Sequence, residues 1–315
     1  MKSRIISASR RTDIPAFYTQ WFMNRIRAGF CIYPNPLYPQ QLYRVSLRSE
    51  DVLGIVFWTR HPAPLAQHLA ELDKGGYVYY FQYTVVGYPQ SVDLRSPSLD
   101  TAIKTFGDLS SCIGPDKVIW RYDPIILNPG ISATWHQDNF RRIADSLSGH
   151  THRVVISVID PYARTQRRLG AAEGDVSYMP EAYSDVLRTI VAEARSRNLS
   201  VQSCAEASLQ TDGIVPGSCV DASLLHSLAG RLPPKRLRLH KQREGCLCHE
   251  SVDVGVNDSC GFGCQYCYAT RSHEKALETL RRHRPEWTCI SQDVTVGAPD
   301  EPREQLPLLS RDTAP

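Results

Sequence analysis

The stretch "VLGIVFWTR", residues 52–60, is apolar almost without a break and then ends on Thr59 and Arg60. A strand with one wet face alternates apolar and polar residues. This one does not, so both its faces are expected to be buried, as in a parallel sheet. Six further runs share the pattern: "RIISASRR" (4–11), "GFCIYPNP" (29–36), "YVYYFQYT" (77–84), "KVIWRYDP" (117–124), "RVVISVID" (153–160) and "LSVQSCAE" (199–206). Helical periodicity fills gaps between them. Over 134–148, with Thr134 as a possible cap, Phe140, Ile143, Ala144 and Leu147 fall on one face; over 184–197, Leu187, Ile190, Val191 and Ala194 do the same. Strand and helix in alternation give right-handed βαβ units. About seven or eight such units predict an α/β protein built as a (β/α) barrel, complete or irregular and TIM-like. A doubly wound open sheet is the alternative.

In such a barrel the C-terminal ends of the strands share one face, and their polar residues converge there. Those ends read Arg10-Arg11-Thr12-Asp13, Asn35, Trp58-Thr59-Arg60, Gln82 and Thr84, Arg121-Tyr122-Asp123, Ser157 and Asp160, and Cys204 and Glu206. Any one of them can be a helix cap or a rim ion pair. Together they make a binding-site inventory, with Arg11, Asp13, Arg121, Asp123, Cys204 and Glu206 as candidate catalytic residues. Several guanidiniums in one mouth suit a small anionic substrate, because guanidinium grips phosphate and carboxylate in bidentate fashion. They equally suit the acids around them.

A chain of 315 residues can bury a large core, as one α/β domain or two smaller ones. Its 42% hydrophobic and 22% charged residues are ordinary, and a net charge of +3 argues neither for nor against nucleic acid. "MKSRIISASRRTD" lacks the apolar stretch of a secretory signal, and "LGIVFW" (53–58) is far too short to span a membrane. A cytoplasmic protein without a membrane partner is expected. Ten cysteines then point to metal or redox chemistry rather than disulfides. Only Cys31 and Cys112 precede residue 200; the other eight follow it, which places a site in the last third.

Within that third, "CGFGCQYCYA" (260–269) sets Cys260, Cys264 and Cys267 at C-x3-C-x2-C spacing. Short loops let the sulfurs face inward, and the glycines let the backbone turn around a bulky object. A structural zinc takes four tight ligands, commonly from C-x2-C pairs. Three thiolates without a histidine fit better a 4Fe–4S cluster with one iron open to a small molecule. Cys204, Cys219, Cys246 and Cys248 are four more thiols, enough to close a second cluster or a structural zinc. The plainer alternatives are a buried small hydrophobe and an inert or redox-exchanging C-x-C pair. Cys204, at a strand end beside Glu206, also qualifies as a hydrogen-atom donor.

The motif C-x3-C-x-aromatic-C, matched at Cys260, Cys264, Tyr266 and Cys267, resembles the signature of the radical S-adenosylmethionine enzymes. The resemblance implies three irons held by the cysteines and a fourth that chelates the amino and carboxylate groups of S-adenosyl-L-methionine. One electron, from a donor such as flavodoxin or ferredoxin, would yield a 5′-deoxyadenosyl radical that abstracts hydrogen from the substrate. Tyr266, Asn35, Arg60 and Gln82 are the candidate cofactor-binding residues. The usual glycine-rich cofactor stretch of those enzymes is not evident. "IISASRRTDIPAFY", "FWTR", "WRYDP", "SCAE", "GSCVD" and "CLCHESVDVGVNDSCGFGCQYCYA" resemble, in order, the bacterial family called domain of unknown function 1848, over about residues 3 to 270. That family carries a radical-SAM-like cluster at its C-terminus, and its name supplies no activity. His249 after the C-x-C pair and the long tail depart from its pattern.

In ordinary radical enzymes the triplet follows the first barrel strand. Here "SVDVGV" (251–256) reads as a strand, the triplet as its loop and "RSHEKALETLRRH" (271–283) as the next helix. The expectation is a circularly permuted radical-SAM barrel, with the first βα unit of the usual barrel moved to the end. The chain divides into a barrel-like catalytic domain (1–245), an iron–sulfur segment packed on it (246–284) and an extended or disordered tail (285–315) in which Cys289 is incidental. Two other readings stand beside the radical enzyme. Action on nucleic acid of the spore-lyase type would use the basic segments "PPKRLRLHKQR" (233–243) and "RRHRPEW" (281–287), although a solvated basic face is commoner. A non-enzymatic zinc or cluster protein, a scaffold or redox sensor, would make no 5′-deoxyadenosine.

Overall fold

The apolar runs become strands because each has helices to bury one face and a plug of chain to bury part of the other. The computed structural model describes residues 4–203, 213–233, 239 and 245–294. Its strands are β1 (Arg4–Ala8), β2 (Phe30–Pro34), β3 (Leu42–Ser46), β4 (Val52–Thr59), β5 (Tyr79–Thr84), β6 (Val118–Ile125), β7 (Arg153–Val158), β8 (Ser200–Ser203), β9 (Ile214–Pro216) and β10 (Ser251–Asp253). Its α-helices are α1 (Ile14–Phe17), α2 (Thr19–Ala28), α3 (Ala63–Ala66), α4 (Leu69–Lys74), α5 (Leu99–Ile113), α6 (Ala133–Leu147), α7 (Ala163–Glu173), α8 (Ser184–Arg195), α9 (Ala222–Leu228) and α10 (His273–Arg282). Eight strands form one sheet in the order β10-β1-β4-β5-β6-β7-β8-β9. Every neighbouring pair in it is parallel. Among the described residues no pairing joins its edges, β9 and β10. The fold is α/β, a large parallel sheet flanked by helices.

Register gives the sheet two unlike faces. On one, Ile55, Phe57, Tyr79, Phe81, Val118, Trp120, Val154 and Ile156 are wholly buried and join the apolar stripes of the helices. The predicted stripes of α6 and α8 are among them. Each such side chain contributes about 2 kcal/mol by leaving water. Ser132, not Thr134, caps α6, its hydroxyl accepting from the Trp135 amide at 3.1 Å. Thr134 falls inside the first turn, where its backbone is already helical.

The opposite face changes character along the strands. Its lower half is apolar, with Ile5, Val56, Tyr80, Ile119 and Val155, and is plugged by α9 and by Cys219, Val220, Cys246 and Cys248. Leu225 of α9 lies so close over Gly54 that a Cβ there would collide with it, which is why β4 carries a glycine. The upper half is polar, with Ser7, Trp58, Gln82, Arg121, Ser157 and Asp253 in register with the apolar set.

Two expectations change. Residues 29–36 are not a strand of the large sheet: β2 pairs antiparallel with β3 in a separate hairpin. Asn35 turns that hairpin, its Oδ1 accepting from the amides of Leu37 and Tyr38 at 2.9 and 3.3 Å, so local turn chemistry decides against a parallel strand end. Residues 285–294, read as part of a tail, are packed. Trp21 donates its indole N–H to the Trp287 carbonyl at 2.9 Å, the Ile32 amide donates to Thr288 at 2.9 Å, and Cys289 and Ile290 are fully buried. Two buried apolar side chains hold this polar stretch in place, and no periodicity marks it. No described helix is long and apolar enough to cross a membrane.

Candidate functional site

The cysteine loop leaves the C-terminal end of β10 and lies over the ends of β1 and β4. It is pinched shut where the Asp258 amide donates to the Ala269 carbonyl at 3.1 Å. Asp258 also receives the Arg271 backbone and side-chain N–H groups and the Ser272 amide, which leads the chain into α10. The segment after β5 clasps the loop: Gln265 donates to Val92 at 2.9 Å, Arg95 to Phe262 at 3.1 Å, and the Arg95 side chain to Gly261 at 2.7 Å. Gly263 sits at φ +73, and a Cβ on it would stand 2.6 Å from Arg95 Nη2. No other residue makes that turn without strain.

Cys260 and Cys264 each lie within electrostatic reach of other loop cysteines. Burial first, then Asp13 and Cys267, pushes the Cys260 thiol up to about 12, although backbone N–H groups of Phe262 and Asp13 point at its sulfur. Burial likewise pushes Cys264 up, against the pull of Arg60. Among the described residues no three His, Cys, Asp or Glu side chains are gathered as ligands of a single metal ion. A cubane asks for something else. In a cubane each cysteine would bind a different iron, and such sulfurs stand farther apart than the ligands of one ion. Three thiols in one short loop, backbone N–H groups aimed at Cys260 and the Gly263 turn are donors of the type a 4Fe–4S cluster would take.

Next to the loop, the polar half of the sheet is knit into three clusters. In the first, Asp253 at the end of β10 receives the hydroxyls of Ser7 at 2.8 Å and Ser9 at 2.6 Å and the Arg10 amide at 2.9 Å. Its carboxylate also pairs with Arg10 at 3.5 Å and Arg11 at 3.2 Å. Burial opposes its charge, but Arg11 and Arg10 outweigh burial and hold its pKa below the usual carboxylate value. In the second, Arg60 pairs with Asp93 at 2.7 Å and donates to Ser96 at 3.2 Å and to the Tyr266 hydroxyl. Burial works against the Arg60 charge; Asp93 and Cys264 overcome it and raise its pKa. Asp93 itself is raised by burial, keeps Oδ1 unpartnered among the described residues, and faces Cys264. Asp13 caps α1 through the Ala16 amide at 3.0 Å and takes the Arg60 amide at 2.7 Å; burial raises it to about 7.

The third cluster joins β5, β6 and β7. Arg121 pairs with Asp123 at 2.5 Å, donates to Gln82 at 3.3 Å and to the Cys219 sulfur at 3.1 Å, and lies 5.1 Å over the Trp58 ring. Asp123 in turn receives the Ser157 hydroxyl. The structure therefore brings Arg10, Arg11, Asp13, Arg60, Gln82, Arg121, Asp123, Tyr266 and the three loop cysteines to one end of the sheet. Asn35 is not among them; it sits in the β2–β3 turn. Cys204 and Glu206 lie outside the described residues, as does most of the basic segment 233–243. Sequence reading missed Asp253 and Asp93. Asp253 lies inside a run read only as a strand, and Asp93 in a loop with no motif. Each arginine in the mouth faces one of these acids or Asp123, so the guanidiniums are largely neutralised from within. Arg11 Nη1 is the exception, buried without a hydrogen-bond partner among the described residues.

No curated protein matches the chain. Comparison with protein families matches residues 5–269 to a domain of unknown function (DUF1848). That match spans most of the sequence, so the chain belongs to the DUF1848 family.

Proposed function

We propose that the chain is an iron–sulfur enzyme of the radical S-adenosylmethionine type, with Cys260, Cys264 and Cys267 holding a 4Fe–4S cluster. The observation that carries the reading is the position of the cysteine loop. It follows β10, which lies parallel beside β1 at the edge of the sheet. Read from β10, the strands succeed one another across the sheet in chain order, with only the β2–β3 hairpin set aside. That order supports a circularly permuted (β/α) barrel whose first loop carries the cysteines and whose next helix is α10.

Held by Cys260, Cys264 and Cys267, such a cluster would supply the one electron that splits S-adenosyl-L-methionine into methionine and the 5′-deoxyadenosyl radical, which takes a hydrogen atom from a substrate. The protein's own residues do the rest. Arg60, locked by Asp93, holds Tyr266 against the loop. The Asp253 pair with Arg10 and Arg11 ties β10 to β1, and Arg121 with Asp123 and Gln82 fixes the floor of the mouth. A small substrate with an anionic group would meet the unsatisfied edge of Arg11, and a low-potential carrier such as flavodoxin or ferredoxin would supply the electron. Anaerobic reconstitution followed by iron and sulfide counts and a dithionite assay for 5′-deoxyadenosine tests the proposal. The expected result is about four irons in the loop cluster and 5′-deoxyadenosine, both lost in Cys264→Ala. A folded protein that takes up iron and makes none of the nucleoside defeats the radical reading and favours a scaffold or redox sensor.

A further inference from the structure

Three cysteines outside the loop remain without a role. Cys219, Cys246 and Cys248 come from two separate stretches of chain, yet all are buried, at 5%, 2% and 3% exposure, in one side-chain cluster on the plugged face of the sheet. Two of the sulfurs accept hydrogen bonds. The Cys248 amide donates to Cys246 Sγ at 3.5 Å, and Arg121 Nη1 donates to Cys219 Sγ at 3.1 Å. A guanidinium is near: Arg121, which reaches Cys219, also pairs with Asp123 at 2.5 Å. The backbone positions the set as well, since Tyr80 and Gln82 both donate to the Cys219 carbonyl, at 2.8 and 2.9 Å.

Small apolar cysteines filling a plug need none of this. Thiols that accept N–H groups beside a guanidinium are suited to the thiolate form, and a buried group of thiolates needs a cation to offset its charge. We propose that Cys219, Cys246 and Cys248 hold a second iron–sulfur cluster, at the floor of the polar mouth and independent of the one in the loop. Thiolate-only ligation selects iron–sulfur chemistry, and N–H···S bonds and nearby positive charge stabilise the reduced form. The fourth iron would take a donor that these three thiols do not supply. Arg121 links this centre to Asp123 and Gln82, so its redox state would be felt where the substrate lies.

The test uses the full chain with Cys260, Cys264 and Cys267 all changed to alanine, which leaves the plug untouched. After anaerobic reconstitution this variant is expected to keep about four irons and matching sulfide, with a paramagnetic signal on reduction. The wild type should carry about eight irons by the same count. Cys246→Ala/Cys248→Ala in the wild-type loop should lose the plug's share and keep the loop's. No iron in the loop variant, with about four in the wild type, overturns the second cluster and leaves the loop proposal standing. Zinc in place of iron in the loop variant also overturns it. Because the loop variant decides the matter, misfolding of the plug variants does not rescue the proposal.

Discussion

Replacing Asp253 with asparagine removes the one carboxylate that binds the edge strand β10 to the chain following β1. In the wild type it takes two hydroxyls and two backbone amides, and it faces Arg10 and Arg11 with only 10% of its side chain exposed. Asparagine keeps the shape and one acceptor oxygen. Its NH2 group, however, turns donors against donors, and two guanidiniums at 20% and 10% exposure lose their anion. Removing one partner of a buried ion pair costs about 3 to 5 kcal/mol. The lower end applies because Arg10 reaches some water, so about 3 kcal/mol is expected. With a urea slope of about 3 kcal/mol per molar for a chain of this size, the midpoint falls by about 1 M. Urea unfolding followed by tryptophan fluorescence measures it. The double variant Asp253→Asn/Arg11→Met should recover part of the loss, because it removes one stranded charge. A fall of less than about 0.3 M would refute the argument that this carboxylate holds the buried arginines.

Gly263→Ala forces a side chain into left-handed backbone against Arg95; a loss of about 1 to 2 kcal/mol and a reduced iron content after reconstitution are expected. Gly54→Ala pushes α9 off the sheet and should cost about 1 to 3 kcal/mol in urea unfolding while leaving the loop's iron unchanged. Burial lowers His136 from 6.5 to about 4, and it is held neutral between the Tyr122 hydroxyl and the Ile126 carbonyl. A depressed histidine gives its full stability above 6.5 and loses it as pH falls through about 4, so about 3 kcal/mol should disappear over that window. Urea midpoints from pH 7 to 4 measure the slope, which should flatten in His136→Gln; an unchanged slope in the variant assigns it to other groups.

Parts of this protein are legible in the sequence for physical reasons that operate locally. The runs at 52–60, 77–84 and 117–124 read as buried strands because a covered strand must be apolar on both sides. Phe140, Ile143, Ala144 and Leu147 read as a helix face because the period of the helix imposes that spacing. The hairpin around Asn35 was misread, since "GFCIYP" is as apolar as a sheet strand. Only its pairing with β3, a half-polar stretch that draws no notice, gives it away. The packed segment 285–294 was missed for a similar reason. It is held by hydrogen bonds to Trp21 and Ile32 rather than by a pattern of its own.

Sequence alone sets the chemistry available: three thiols at C-x3-C-x2-C spacing, four arginines at strand ends, a βα alternation and a family. Those depend on residue type and near spacing, which one-dimensional order preserves. Tertiary structure decided the order of the strands, with β10 beside β1 although about 240 residues separate them. It also decided the charge state of the mouth. Arginines that suggested an anion in sequence meet Asp253, Asp93 and Asp123 in space, and a buried charge is satisfied by whatever acid the fold brings within reach. Residues 52–60 show both sides: their hydrophobicity announces a buried strand, and only the folded chain reveals that Gly54 makes room for α9 and that Arg60 holds the cysteine loop through Tyr266.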